Sequence, residues 1–150
     1  MKIHPMVLSG REAEPLLSLN DMFDIKAEEA EMLSPLVLAF VGDTVYDLFV
    51  RTMLVSSSTN GVDKLHKTAT SFVNCAAQSD SIKRIEHMLT EKELSVFKRG
   101  RNAKSHPPKN ADMAQYHNAT GLEALVGYLF LTGSTERLYE VMKAILQSSN

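Results

Sequence analysis

Residues 36–50, LVLAFVGDTVYDLFV, are apolar on nearly every side when projected on a helix of 3.6 residues per turn. Such a helix needs cover around most of its circumference, from other helices or from a second copy of the chain. The same run carries Asp43, on a face shared with Leu36, Ala39, Phe40, Tyr46 and Val50. An unpaired carboxylate is costly to bury, so the sequence is expected to supply something that compensates it.

Partners within a helix lie three or four residues away. Asp47 has Arg51 at i+4 and is expected to form an ordinary ion pair. Asp43 has only Ala39, Phe40, Tyr46 and Asp47 at those offsets, none of them basic. Glu123, in ATGLEALVGYLFL (residues 119–131), has Ala119, Thr120, Val126 and Gly127 and is equally unpaired. Gly121 and Gly127 remove side chains and would let another helix approach closely. Two such acids on two apolar helices suggest a shared partner, and a hard divalent cation such as Mg²⁺ fits carboxylate oxygens and waters. The other arrangement open to the sequence gives each acid its own arginine or helix N-terminus.

The remaining pattern is helical. Ser34-Pro35 is a helix start, with Ser as N-cap and Pro at the first position, and SSSTNG (residues 56–61) ends that helix. A second helix opens near Val62 with Leu65, Ala69, Phe72, Val73 and Ala76 on one stripe, and Ile82, Ile85, Met88 and Leu89 continue the apolar pattern. Thr90-Glu91-Lys92-Glu93 is a capping box. Gly100 and Pro107-Pro108 predict a loop, a helix should run from Asp112 to Leu131, and Gly133-Ser134 separates it from the last helix. No segment alternates with period two, so the class is all-α. Residues 1–30 are expected as an irregular arm with a short helix near 27–33, and residues 31–147 as one domain with no second domain after it. At 150 residues the chain is long enough to bury roughly 70% of its unfolded surface.

Charge is unevenly distributed. Residues 1–31 hold seven acids and three bases, whereas residues 98–109, KRGRNAKSHPPK, hold five of the 16 Lys and Arg and no acid. Lys98, Arg99, Arg101, Asn102, Lys104 and Lys109 are suitable donors for phosphate oxygens, and Lys64, His66 and Lys67 extend the same patch. The plainer alternatives are a solvated loop and a structural His66. Metal-binding carboxylates beside a phosphate-binding surface are the parts for phosphodiester hydrolysis. A Gly-rich phosphate loop, a His-Asp dipeptide and zinc-ligand spacing are all missing from the sequence. One cysteine, Cys75, suits a reducing compartment, and the start MKIHPMVLSG lacks the apolar core of a signal peptide. The longest apolar run is too short and too charged for a membrane span. The chain is expected to be soluble and cytoplasmic.

LAFVGDTVYDLFVR (residues 38–51) resembles the signature helix of the ribonuclease III catalytic domain, and GLEALVGYLFL (residues 121–131) resembles its second catalytic helix. Together with KLHKTATSFVNCAAQ and FKRGRNAKS, in this order from about Leu33 to Leu131, they are similar to the Mini-ribonuclease III branch, which consists of the catalytic domain alone. The resemblance implies an all-α helical bundle, working as a homodimer on double-stranded RNA with Mg²⁺ (Mn²⁺ as a substitute) and leaving 5′-phosphate and 3′-hydroxyl ends. It implies a role in maturation of precursor 23S ribosomal RNA, with a ribosomal protein as a possible helper. Asp43 and Glu123 match the family's catalytic and metal-binding acids. Two further acids of the longer ribonuclease III enzymes are replaced here by Ala39 and Thr120, which leaves two protein carboxylates per site, with water and phosphate oxygens to complete a metal's shell. With no double-stranded-RNA-binding domain, grip on RNA would come from the catalytic dimer. The competing expectations are a non-catalytic RNA-binding module of the same fold and a helical dimerisation scaffold.

Overall fold

The structure, a computed structural model, describes residues 15–147, with side chains from residue 19 onward. Among these residues it is all-α: α1 (Pro15–Met22), α2 (Ala27–Glu31), α3 (Pro35–Ser57), α4 (Val62–Val73), α5 (Cys75–Ile85), a 3₁₀ turn at Glu86–Met88, α6 (Glu91–Asn102), α7 (Met113–Leu131) and α8 (Thr135–Gln147). The arm expected over residues 1–30 is described only from residue 15. There it forms two short helices, and Asn20 ties α1 to the end of α7 by donating to the Phe130 carbonyl at 2.8 Å.

Helix α7 is the axis of the bundle, with α3, α5 and α6 packed around it. Every residue from Ala119 to Leu129 is buried except the half-buried Glu123. Each fully buried leucine among them (Leu122, Leu125 and Leu129) contributes about 1.5–3 kcal/mol of apolar burial. Backbones approach where side chains are missing. A Cβ on Gly42 of α3 would overlap the Glu123 carbonyl and lie 2.8 Å from the Gly127 nitrogen; one on Gly127 would overlap the Leu38 carbonyl. Gly121 makes the corresponding contact with α6, against the Phe97 ring.

Several sequence signals appear as physical contacts. The Ser34 hydroxyl accepts from the Val37 N–H at 3.3 Å. Asp47 pairs with Arg51 at 3.0 Å. Gly133, at φ +72°, makes the left-handed turn between α7 and α8. The capping box is complete: Thr90 N–H donates to Glu93 Oε1 at 2.9 Å, and Glu93 N–H donates to Thr90 Oγ1 at 3.1 Å. Glu93 itself is buried and held by a bidentate Arg137, with both contacts at 2.8 Å. Burial acts to raise the Glu93 carboxyl, but the hydrogen bonds from Arg137 and Thr90 outweigh it and hold the group below the ordinary carboxylate range.

Two expected boundaries are corrected. Gly100 does not open a loop; α6 continues through it to Asn102. The glycine is there because a Cβ would lie 2.8 Å from the Ala124 Cβ and 2.9 Å from the Gly121 Cα. Arg99 and Arg101 sit in the last turn, where the helix dipole favours cations. The stripe running to Ala76 is also broken: Asn74 ends α4 and caps α5, its Oδ1 accepting from the Ala77 N–H at 2.9 Å. Ala76 is exposed.

Candidate active site

Asp43 and Glu123 come together across the α3–α7 crossing. The two carboxyl groups lie close enough that a protonated Glu123 can donate to Asp43. The Glu123 carboxyl is pushed up to about 9, first by burial, then by the hydrogen bond to Asp43 and by the Asp43 charge. Two carboxyls that cannot both ionise cheaply, at the mouth of a buried contact, are characteristic of a functional site.

One expectation about this pair is corrected. Asp43 is exposed, not sunk among apolar side chains. Ala39, Tyr46 and Val50 are buried as expected, but the other flank of α3 lies open: Leu36 is 38%, Phe40 80%, Leu48 48% and Val55 67% exposed. Asp43 stands on the border between the covered and uncovered sides. Helix α7 received cover on all sides and α3 did not.

Other groups surround Glu123. Cys75 opens α5, and burial and then the Glu123 charge push its thiol up, so it stays protonated. Tyr46, one turn beyond Asp43, is pushed up to about 12 by burial, against the opposing effects of a Ser81 hydrogen bond and the Arg84 charge. Neither residue was recognised from sequence as a neighbour of Glu123. The Asn74 cap, which turns α5 back toward α7, is the signal that would have placed Cys75 there.

Among the described residues no group of three or more His, Cys, Asp and Glu side chains gathers to hold a metal. The donor set is therefore two carboxylates. The Thr120 hydroxyl is turned back to the Tyr116 carbonyl at 3.1 Å, and Ala39 offers no donor. Two adjacent oxyanion groups with room for water on the exposed Asp43 side do fit a hard divalent cation.

The expected phosphate donors divide into separate sets. Lys98, Arg99 and Asn102 line an open groove of about 630 Å³ on α6, beside Pro35 of α3. Arg101 lies on a different side of the helix, its guanidinium 5.5 Å from the Phe97 ring centre. Lys104 and Lys109 are exposed in the segment after α6. Lys64, His66 and Lys67 are exposed on α4, and His66 lines a small cavity with Arg51, Leu54 and Val55. They do not extend the α6 patch, because Pro35 and Arg51 are about 24 Å apart along α3. Asp43 lies midway between those ends.

The ribonuclease III domain family matches residues 36–134. The chain belongs to the ribonuclease III family. It is 46% identical over 121 residues to Mini-ribonuclease 3 of Clostridium tetani, covering 79% of this chain and 80% of that one. It is 47% identical to Mini-ribonuclease 3 of a Thermoanaerobacter species, covering 77% and 82%. A crystal structure of a protein from Fusobacterium nucleatum superposes with a TM-score of 0.71 at 28% identity, covering 79% of this chain and 96% of the other. As a ribonuclease III-family endoribonuclease, the chain acts on double-stranded RNA, and its family generally depends on a divalent metal. No helix among the described residues is long and apolar enough to cross a membrane.

Proposed function

We propose that this endoribonuclease uses Mg²⁺, held by Asp43 and Glu123, to cut precursor 23S ribosomal RNA as a homodimer in the cytoplasm. The observation that carries the reading is the proximity of the two carboxyl groups, one from each helix of the close α3–α7 crossing. When bound, the cation supplies a polarised scissile phosphate and a water of lowered pKa. The chain's own part is to hold the two oxyanions at one point of a rigid crossing and to leave Asp43 open to a duplex. Mn²⁺ is the expected substitute. The ribosomal RNA substrate, with a ribosomal protein as a helper, follows from the resemblance to the Mini-ribonuclease III branch, and the relatives' shared name, Mini-ribonuclease 3, supports that branch.

Basic residues on both sides of Asp43 suit a duplex laid along α3, with Lys98 and Arg99 toward one end and Lys64 and Lys67 toward the other. A-form RNA offers phosphates and 2′-hydroxyls at that spacing, with little base information. The uncovered stripe of α3 supports the dimer: a second α3 laid against Leu36, Phe40 and Leu48 would remove most of that apolar surface from water.

The test is cleavage of a long RNA duplex with and without Mg²⁺ by the purified chain and by its Asp43→Asn and Glu123→Gln variants. Metal-dependent cutting that falls by at least about 10²-fold in both variants is expected. Salt-sensitive duplex binding with no cut product would instead assign a non-catalytic RNA-binding role.

A further inference from the structure

The α6 groove carries more than a duplex backbone needs. Half-buried Pro35 and Leu94 give its lining an apolar part, while exposed Lys98, Arg99 and Asn102 line it one to two turns further along α6. Glu91 lies at the other end, about 10 Å away along α6. Neither Lys98 nor Arg99 is in an ion pair among the described residues. A duplex backbone presents only phosphate and sugar to a protein surface; it has no use for an apolar lining, and Glu91 would repel it. An unpaired nucleotide has the complementary asymmetry. Its phosphate is anionic, its base has a flat apolar face, and a guanine edge carries N–H donors for a carboxylate. The groove volume of about 630 Å³ also lies in the range of small-molecule sites.

We infer that this groove binds an unpaired nucleotide of the RNA substrate, so the preferred duplex is interrupted a few base pairs from the cut. Pro35 and Asp43 are eight residues apart on one straight helix, about 12 Å, which sets that short offset. The inference rests on the RNA reading above and goes beyond it, since a backbone-only grip would not distinguish interrupted from continuous duplexes.

The experiment uses the full-length chain with Glu123→Gln, so that RNA is bound and not cut. Affinity is measured for two duplexes of one sequence, with and without a single unpaired guanosine near the mapped cut position. The interrupted duplex should bind about tenfold tighter, at the low end of what one stacked base contributes on an aromatic platform, since the groove offers aliphatic side chains and the Arg99 guanidinium instead. Adding Ser95→Glu, an exposed position on the groove wall, should bring that ratio close to one. Free GMP should weaken binding of the interrupted duplex and leave the continuous one unaffected. Equal affinities before the second substitution would overturn the inference while leaving salt-sensitive duplex binding intact. A ratio that survives Ser95→Glu, or GMP competing equally with both duplexes, would also overturn it. Failure of either duplex to bind would instead remove the RNA reading itself.

Discussion

Gly42 and Gly127 face each other across α3 and α7 so closely that a Cβ on either would enter the other helix's backbone. Leu38, Gly42, Glu123 and Gly127 thus form one contact, and the position of Glu123 relative to Asp43 follows from it. Gly42→Ala or Gly127→Ala is expected to destabilise the fold by about 3 kcal/mol or more, since the overlap is with backbone and cannot be relieved by a rotamer change. Gly100→Ala, which meets the Ala124 side chain and the Gly121 Cα at 2.8 and 2.9 Å, should cost about 1–3 kcal/mol. Urea denaturation followed by circular dichroism would rank the three.

Metal-free protein should lose stability as pH rises. The Glu123 carboxyl has a folded value of about 9 against an ordinary 4.5, so between those limits the folded state binds the extra proton. This contribution is full below the ordinary value and lost on approach to the folded one. Melting temperatures between pH 6 and pH 9 should fall by an amount equivalent to roughly 3–4 kcal/mol, and Glu123→Gln should flatten the slope. A divalent cation needs the pair deprotonated, so its affinity should rise over the same interval with release of a proton. A flat wild-type profile would contradict the shared-proton geometry.

The opposite sign applies to Glu93. Arg137 and Thr90 hold its carboxyl low, so its contribution is present at neutral pH and lost as pH falls through the folded value, below the ordinary 4.5. Arg137→Met leaves a buried carboxylate without its cation. It should cost about 2–4 kcal/mol at pH 7 and much less at pH 3, which differential scanning calorimetry at the two pH values would show.

Phe40 is 80% exposed one turn from Asp43. Phe40→Asp should convert a particle of twice the 16.7 kDa chain mass into a single chain by light scattering, with its helix content unchanged. A single chain in the wild type at micromolar concentration would remove the dimer from the proposal.

Helix starts were the most legible part of the sequence, because Ser34, Thr90 and Asp112 each act through a local bond to the N–H three residues on. Pairing Asp43 with Glu123 was legible through what their neighbours lack. Depth of burial was not: periodicity shows that α3 is apolar all round, but only the assembled bundle shows which side the chain leaves uncovered. Gly100 was misread for a related reason. A glycine that ends a helix and one that admits a neighbouring helix look identical until the neighbour is in place. The Glu93–Arg137 bond, across 44 residues, left no trace in local spacing.

The glycines at 100 and 121 have a consequence for the products of the reaction. They seat the helix bearing Lys98 and Arg99 flush on the helix bearing Glu123, so in the proposed function the basic side chains and the acid pair move as one body. Cleavage by such a body should fall at a single register and leave ends uniform to the nucleotide.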